Sequence, residues 1–395
     1  MSVLRGISAA INGIGGAAGR LGLQLPRLSI AGVERAAARR AGVDDFADGA
    51  HREGLAALIE AADSSALNTI GRLHMASLLT QVLATRLRLI QARRDRPAID
   101  RGPALPPILV CGLPRSGTTF LHRLLAERED ARPLPLWELM EPIPGPGPDR
   151  RLAEAEARMR RLAALSTANL DAQHLMRAEL PDECGHLFKC TMYSSIFWQA
   201  PLYSYLEWYL GADTRAPYRD YRALLGLLDR PGRRLVLKDP FHARHLSSLF
   251  AMLPEALVVQ THRDPLEVLP SFHKLTTSVH RLFTARPDTA RAVELNTRWL
   301  ADLVERSAAD RAALPERRVC DVRYRDLVAD PVGVVARIHA AFDLEFSPAL
   351  AARLERFVAA NGQRKYGANP YTLEQFGQRR EAIAERFATY RATFA

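Results

Sequence analysis

The chain of 395 residues carries 54 Lys and Arg against 44 Asp and Glu, a formal net charge of +10. At 48% hydrophobic and 25% charged it is neither disordered, collagenous nor coiled-coil in composition, and it holds enough apolar material for a full core. No stretch approaches the roughly 20 uninterrupted apolar residues that cross a bilayer.

The first 26 residues join an early arginine to a small-residue apolar stretch broken by glycines and Asn12. That makes a poor signal-peptide core and reads instead as a flexible arm or amphipathic surface helix with weak membrane contact. From Val33 to about Arg94, Leu67, Ile70, Leu73, Leu79, Leu83, Leu87 and Ile90 recur at helical spacing. Residues 1–100 are therefore expected to form a helical extension ahead of a domain over 101–395. The composition changes to Pro and Gly at Pro97–Pro107, and the run Ile108–Cys111 that follows reads as a buried strand.

Beyond it, Pro133–Pro148 holds six prolines in sixteen residues and reads as a rigid irregular loop. Leu152–Leu165 and Ala290–Arg311 read as helices, and Leu235–Leu237, Ala256–Val259 and Val319–Val322 as further strands. Short apolar strands alternating with helices predict an α/β fold, a parallel sheet covered by helices on both faces. Cys111, Cys184, Cys190 and Cys320 have neither zinc nor redox spacing and suit free thiols in a reducing, cytoplasmic compartment. Seven aromatics between Tyr193 and Tyr209 suit core, or a lid over a hydrophobic ligand.

The most informative stretch follows the first strand: Gly112-Leu113-Pro114-Arg115-Ser116-Gly117-Thr118-Thr119, then the helical run from Phe120 to Glu127. A glycine-bracketed turn between strand and helix gathers backbone N–H groups around an anion at the positive end of the helix dipole. The spacing is that of a nucleotide P-loop, but Thr118 stands where the P-loop lysine is expected, and Arg115 is the cation that could replace it. From the residues alone a P-loop kinase or NTPase using ATP and magnesium stays open, as does a basic nucleic-acid-binding protein. The arginines are dispersed, however, with no long basic run.

Pro114–Thr119 resembles the 5′-phosphosulfate loop of sulfotransferases that use 3′-phosphoadenosine 5′-phosphosulfate (PAPS). Leu257 to Pro265 and onward to Ser271 resembles the family's 3′-phosphate motif, an arginine at a strand end and a serine eight positions later. Lys238, Pro240 and His242 fit a Lys-x-Pro-x-His pattern of bacterial members, and Tyr205, Glu207, Trp208, Asp213 and the stretch Tyr324-Arg325-Asp326-Leu327 are similar to the same subgroup. The resemblance covers roughly residues 105–345. It implies a P-loop-type sheet flanked by helices and transfer of a sulfuryl group to a hydroxyl of a small-molecule or lipid acceptor, with PAP released.

By the same resemblance, Arg115, Ser116, Gly117, Thr118 and Thr119 hold the 5′-phosphosulfate. Arg263 and Ser271 hold the 3′-phosphate, and Arg364 and Lys365 close over it. Such a transfer needs charge stabilisation on the bridging oxygen, from Arg115 and Lys238, and a base for the acceptor proton. That logic requires no divalent metal. Glu138 is expected as the base, His242 second, and the acidic cluster Glu179-Leu180-Pro181-Asp182-Glu183 third.

Overall fold

Strands form where short apolar runs are bounded by Pro, Gly or charged residues. β1 is Ile108–Gly112, β3 Arg234–Lys238, β4 Leu257–His262 and β5 Val319–Arg323. They join β2, Ala131–Pro133, in one sheet of order β2-β3-β1-β4-β5. Every pairing is parallel. The computed structural model describes residues 2–21, 23–165, 176–284, 286–314, 318–361 and 371–394.

Side chains alternate across the sheet as a period of two demands. Leu109, Cys111, Leu235, Leu237 and Val258 enter one core, and Ile108, Val110, Val236 and Val259 enter the other. Both faces are thus covered, which explains why these strands read as continuous apolar runs. The second core is filled by Leu121, Leu124 and Leu125 from the helix behind β1 and by Val334, Val335, Ile338 and Leu354.

The amino-terminal quarter forms helices over Ser2–Arg20, Ile30–Ala41, His51–Ser64 and Thr69–Asp95. Their buried residues, from Val33 and Leu55 to Leu83 and Leu87, lie in the same core as one face of the sheet. Asn68 starts the longest helix by accepting a hydrogen bond from Gly71 N at 2.8 Å.

Two local readings need correction. β2 was not expected: it is three residues long, ends in Pro133 and lies at the sheet edge, the one place where a missing donor does no harm. The proline-rich loop is also less irregular than its composition implies, for Leu136–Met140 forms a short helix. Pro135 pairs antiparallel with Pro181, Leu136 N donates to Leu180 O at 2.9 Å, and Trp137 N donates to Ala178 O at 3.0 Å. This zip carries the acidic cluster to the carboxyl end of the sheet.

Candidate active site

Strand order reverses at β1, whose neighbours are β3 and β4, and in open α/β sheets ligands bind outside the carboxyl ends at such a point. Gly112 ends β1 at φ 127°. A Cβ there would stand 2.2 Å from Thr261 O on β4, so glycine is required for the strand to turn away. Arg115 at φ 64° and Gly117 at φ 86° are also left-handed, which curls the turn into a concave backbone ahead of the helix Thr118–Leu125.

Ser116 faces inward. Its hydroxyl donates to Leu113 O and shares a bond with Thr261 Oγ1, so it clasps the turn to β4 and leaves its own amide for a ligand. Thr118 is buried and Thr119 half-buried at the helix start.

Arg263 emerges just past β4, and Asp264 caps the helix Pro265–His280 by accepting from Leu266 N at 3.0 Å. Its Nη1 donates to Arg115 O at 2.9 Å and its Nε to Glu267 at 2.9 Å. The guanidinium also lies over the Tyr324 ring, 4.1 Å from the centroid. Arg115 Nε donates to Ser271 Oγ at 3.1 Å. The turn residues, Arg263 and Ser271 are therefore one cluster, as their spacing implied. Burial, and then the Arg263 charge, hold Arg115 below the ordinary arginine value, and an anion between the two guanidiniums relieves both effects.

Tyr324 is a site residue whose role the sequence did not reveal. Besides carrying Arg263, it packs at Gly117, where an added Cβ would come within 3.1 Å of its ring. Behind it, Arg391 grips Asp264 at 3.0 and 3.1 Å.

On the other side of β1, Lys238 ends β3 beside Val110 and is buried. Its Nζ donates to Glu183 Oε1 at 3.0 Å. Burial opposes the ammonium, but Glu183 and Asp182 outweigh it and keep the Lys238 pKa above the ordinary value. Asp239 accepts from Phe241 N at 3.0 Å; burial first, and then Glu183, push its carboxyl up. Glu183 also acts electrostatically on Arg115, so the carboxylate is within the field of both halves of the site.

The three expected bases separate clearly. Glu138 is committed to Arg132, at 2.9 Å, and Arg132 also donates to Leu228 O at 2.9 Å. Arg132 pairs with Leu235, three residues before Lys238 and roughly 10 Å back along the strand. His242 is buried, with Nδ1 2.6 Å from the Tyr218 hydroxyl and Nε2 3.4 Å from Cys184 Sγ. Burial pushes its pKa down to about 3, and both nitrogens are engaged. The acidic cluster divides: Glu179 is exposed, whereas Asp182 and Glu183 turn in toward Lys238. His242 lines a small cavity of about 10 Å³ with Asp239, Tyr218 and His245, barely room for one water. The aromatics Phe197, Trp198, Tyr203, Tyr205 and Tyr209 are buried core. Arg364 and Lys365 lie outside the described residues.

A sulfotransferase-family model matches residues 106–348, from just before β1 to beyond Tyr324. The chain belongs to the sulfotransferase family. The fold agrees over nearly the whole chain. Sulfotransferase STF9 from Mycobacterium avium superposes with a TM-score of 0.82 at 26% identity, covering 94% of this chain and 98% of that one. STF1 from Mycobacterium tuberculosis does so with a TM-score of 0.77 at 28% identity, over 92% and 99%. The omega-hydroxy-beta-dihydromenaquinone-9 sulfotransferase Stf3 of Mycobacterium bovis is 24% identical over 280 residues, 68% of this chain and 71% of that protein. The enzyme is thus a sulfotransferase with a P-loop-type fold, and the kinase reading is set aside. In this sulfotransferase the departure at Thr118 has a structural counterpart, with Arg115 and Arg263 as the cations beside the phosphate turn.

Proposed function

We propose that this sulfotransferase moves the sulfuryl group of PAPS to the hydroxyl of a hydrophobic small molecule or lipid-like alcohol and releases PAP. The observation that carries the reading is the Lys238–Glu183 pair, held at 3.0 Å at the carboxyl end of β3 beside a turn flanked by two guanidiniums.

The donor set fits a molecule with two separated phosphates. Arg263 and Ser271 hold the 3′-phosphate. The amides of Ser116, Gly117 and Thr118, with the Thr118 and Thr119 hydroxyls, hold the 5′-phosphate. When bound, PAPS supplies a sulfuryl group on a phosphate oxygen that leaves readily. Lys238, with Arg115, stabilises the charge that grows on that oxygen. A lysine on a flexible stem exchanges Glu183 for the leaving oxygen, which restores Glu183 as a proton acceptor. Glu183 then takes the proton of the attacking hydroxyl and passes it to solvent. We assign the base to Glu183 rather than Glu138 or His242, because those two are engaged with Arg132 and with Tyr218 and Cys184.

A lipid-like acceptor is favoured by the name of the Stf3 relative, a sulfotransferase of an omega-hydroxylated menaquinone derivative. Four free cysteines suit a reducing, cytoplasmic setting. The test is transfer from labelled PAPS to an omega-hydroxylated isoprenoid alcohol and, in parallel, to a hydrophilic sugar. The lipid alcohol is expected to be sulfated; label appearing on the sugar alone overturns the acceptor assignment.

A further inference from the structure

Among the described residues, Ile14, Leu21, Leu23, Leu25 and Leu73 are exposed large hydrophobics, at 70%, 80%, 57%, 46% and 43%. The other is Val328, at 39%, far along the chain. The five belong to one place because the segments that carry them are tied together. Asn12 Oδ1 accepts from Ile70 N at 3.0 Å. The backbone at Gly15 sits against Thr69 so closely that a Cβ would overlap its hydroxyl. Buried Arg72 donates to Pro26 O from Nε at 3.1 Å and from Nη2 at 2.9 Å, and to Ala62 O at 3.2 Å, while pairing with Asp63 at 2.9 Å. Gln24 Nε2 donates to Asp63 O at 3.2 Å. The turn after the first helix is thus pinned at 24 and 26, with Leu23 and Leu25 left outward. Ile14 lies on the first helix, and Leu21 follows its last residue in the turn that Leu21 N closes on Ala18 O at 2.9 Å.

A pinned ridge of leucines in water marks a contact surface. Its charge tells which kind. Residues 1–33 contain Arg5, Arg20 and Arg27 and no Asp or Glu, and Arg20 and Arg27 are exposed. Asp63 beside the turn is already paired with Arg72, so apolar tips among the exposed arginines match an anionic bilayer, into which the tips insert while the arginines meet headgroups. A two-fold contact with a second copy would set the same cations against each other.

The ridge is also linked to the Glu183 segment through the helix Thr69–Asp95. His74, next to Leu73, stacks on Phe283 at 4.7 Å and lies in the electrostatic field of Lys189. Lys189 belongs to the 3-10 helix Cys184–Thr191, which begins directly after Glu183 and packs against the helix Thr69–Asp95.

We propose that Ile14, Leu21, Leu23, Leu25 and Leu73, with Arg20 and Arg27, form a docking surface for anionic lipid bilayers. The docking rests on the ridge and its charge; its use, presenting a membrane-dissolved alcohol to Glu183, rests on the function proposed above. Flotation of the full chain with phosphatidylglycerol–phosphatidylcholine vesicles, and with phosphatidylcholine alone, tests it. Binding is expected to the mixed vesicles, weakened about tenfold or more without phosphatidylglycerol or in about 0.5 M salt. Leu21→Ser with Leu23→Ser, and separately Arg20→Glu with Arg27→Glu, are expected to weaken it about tenfold or more while PAP affinity is kept. Equal flotation with both vesicles, none with either, or a dimer in solution that the serine variant splits overturns the docking surface. A wild-type chain that floats but does not bind PAP leaves the surface standing and overturns the nucleotide assignment instead.

Discussion

The two sides of β1 handle charge in opposite ways. Toward β4, Arg115 and Arg263 lie together with Ser271 and Tyr324, and the carboxylate bonded to Arg263, Glu267, is 59% exposed. Toward β3, Lys238 is already matched to Glu183, with Asp182 and Asp239 close behind. Two adjacent guanidiniums are suited to binding an anion, whereas an internal acid–base pair is suited to moving a proton without a change in net charge. On the function proposed above, the difference places most of the affinity on one side and the proton transfer on the other.

The largest effect that bears on this division is expected at Lys238. Lys238→Met lowers kcat by about 10²–10³-fold, the usual loss when one donor to a developing oxyanion is removed. A kcat within a few-fold of wild type would remove Lys238 from the chemistry. Arg263→Ala acts on the other side: PAP binding measured by calorimetry weakens by about 10–100-fold, from loss of a charged hydrogen bond, while kcat at saturating PAPS changes little. Collapse of kcat at saturation would erase the distinction between the two sides.

Acid reads the buried histidines around the paired side. His242, His122 and His280 are held neutral by burial, at about 3, 4 and 4 against an ordinary 6.5. Between those values the unfolded chain binds the more protons, so their stability contribution is complete above about pH 6.5 and lost as pH falls toward 4. At about pH 5.5 each histidine costs about 1.4 kcal/mol, visible as a lower Tm than at about pH 7.5. A Tm unchanged across that interval contradicts their neutral burial. The smallest effect is at Gly117, whose φ of 86° no side chain adopts freely. Gly117→Ala costs about 1–2 kcal/mol by chemical denaturation and displaces Tyr324; an unchanged stability would show the turn to be slack.

Much of this was legible in the sequence where local chemistry fixes position. The turn from Gly112 to Thr119 declares itself because glycine spacing and the strand-to-helix change leave few backbone solutions, and Arg263 and Ser271 are separated by a distance that a single helix determines. β2 escaped because three edge residues carry no periodicity. The carboxylate partner of Lys238 was less legible for a different reason. Glu138 follows the phosphate loop at a plausible separation, but which carboxylate reaches Lys238 is decided by the Pro135–Pro181 zip, a contact between segments far apart in the chain. His242 looked suitable by type and proximity to Lys238, but it is buried against Phe188, Tyr218 and Tyr221 with both nitrogens engaged. Lys238 ends a strand beside Glu183, while arginine supplies the cations at positions 115 and 263.

The most direct measurement is the single-turnover rate of sulfuryl transfer from PAPS by Glu183→Gln and Glu138→Gln, with PAP affinity determined for both. Glu183→Gln is predicted to slow transfer by about 10²-fold or more while PAP affinity stays near wild type, and Glu138→Gln to transfer at close to the wild-type rate. The opposite pattern, slow transfer in Glu138→Gln and normal transfer in Glu183→Gln, would contradict the pairing of Lys238 with Glu183 as the chemical centre.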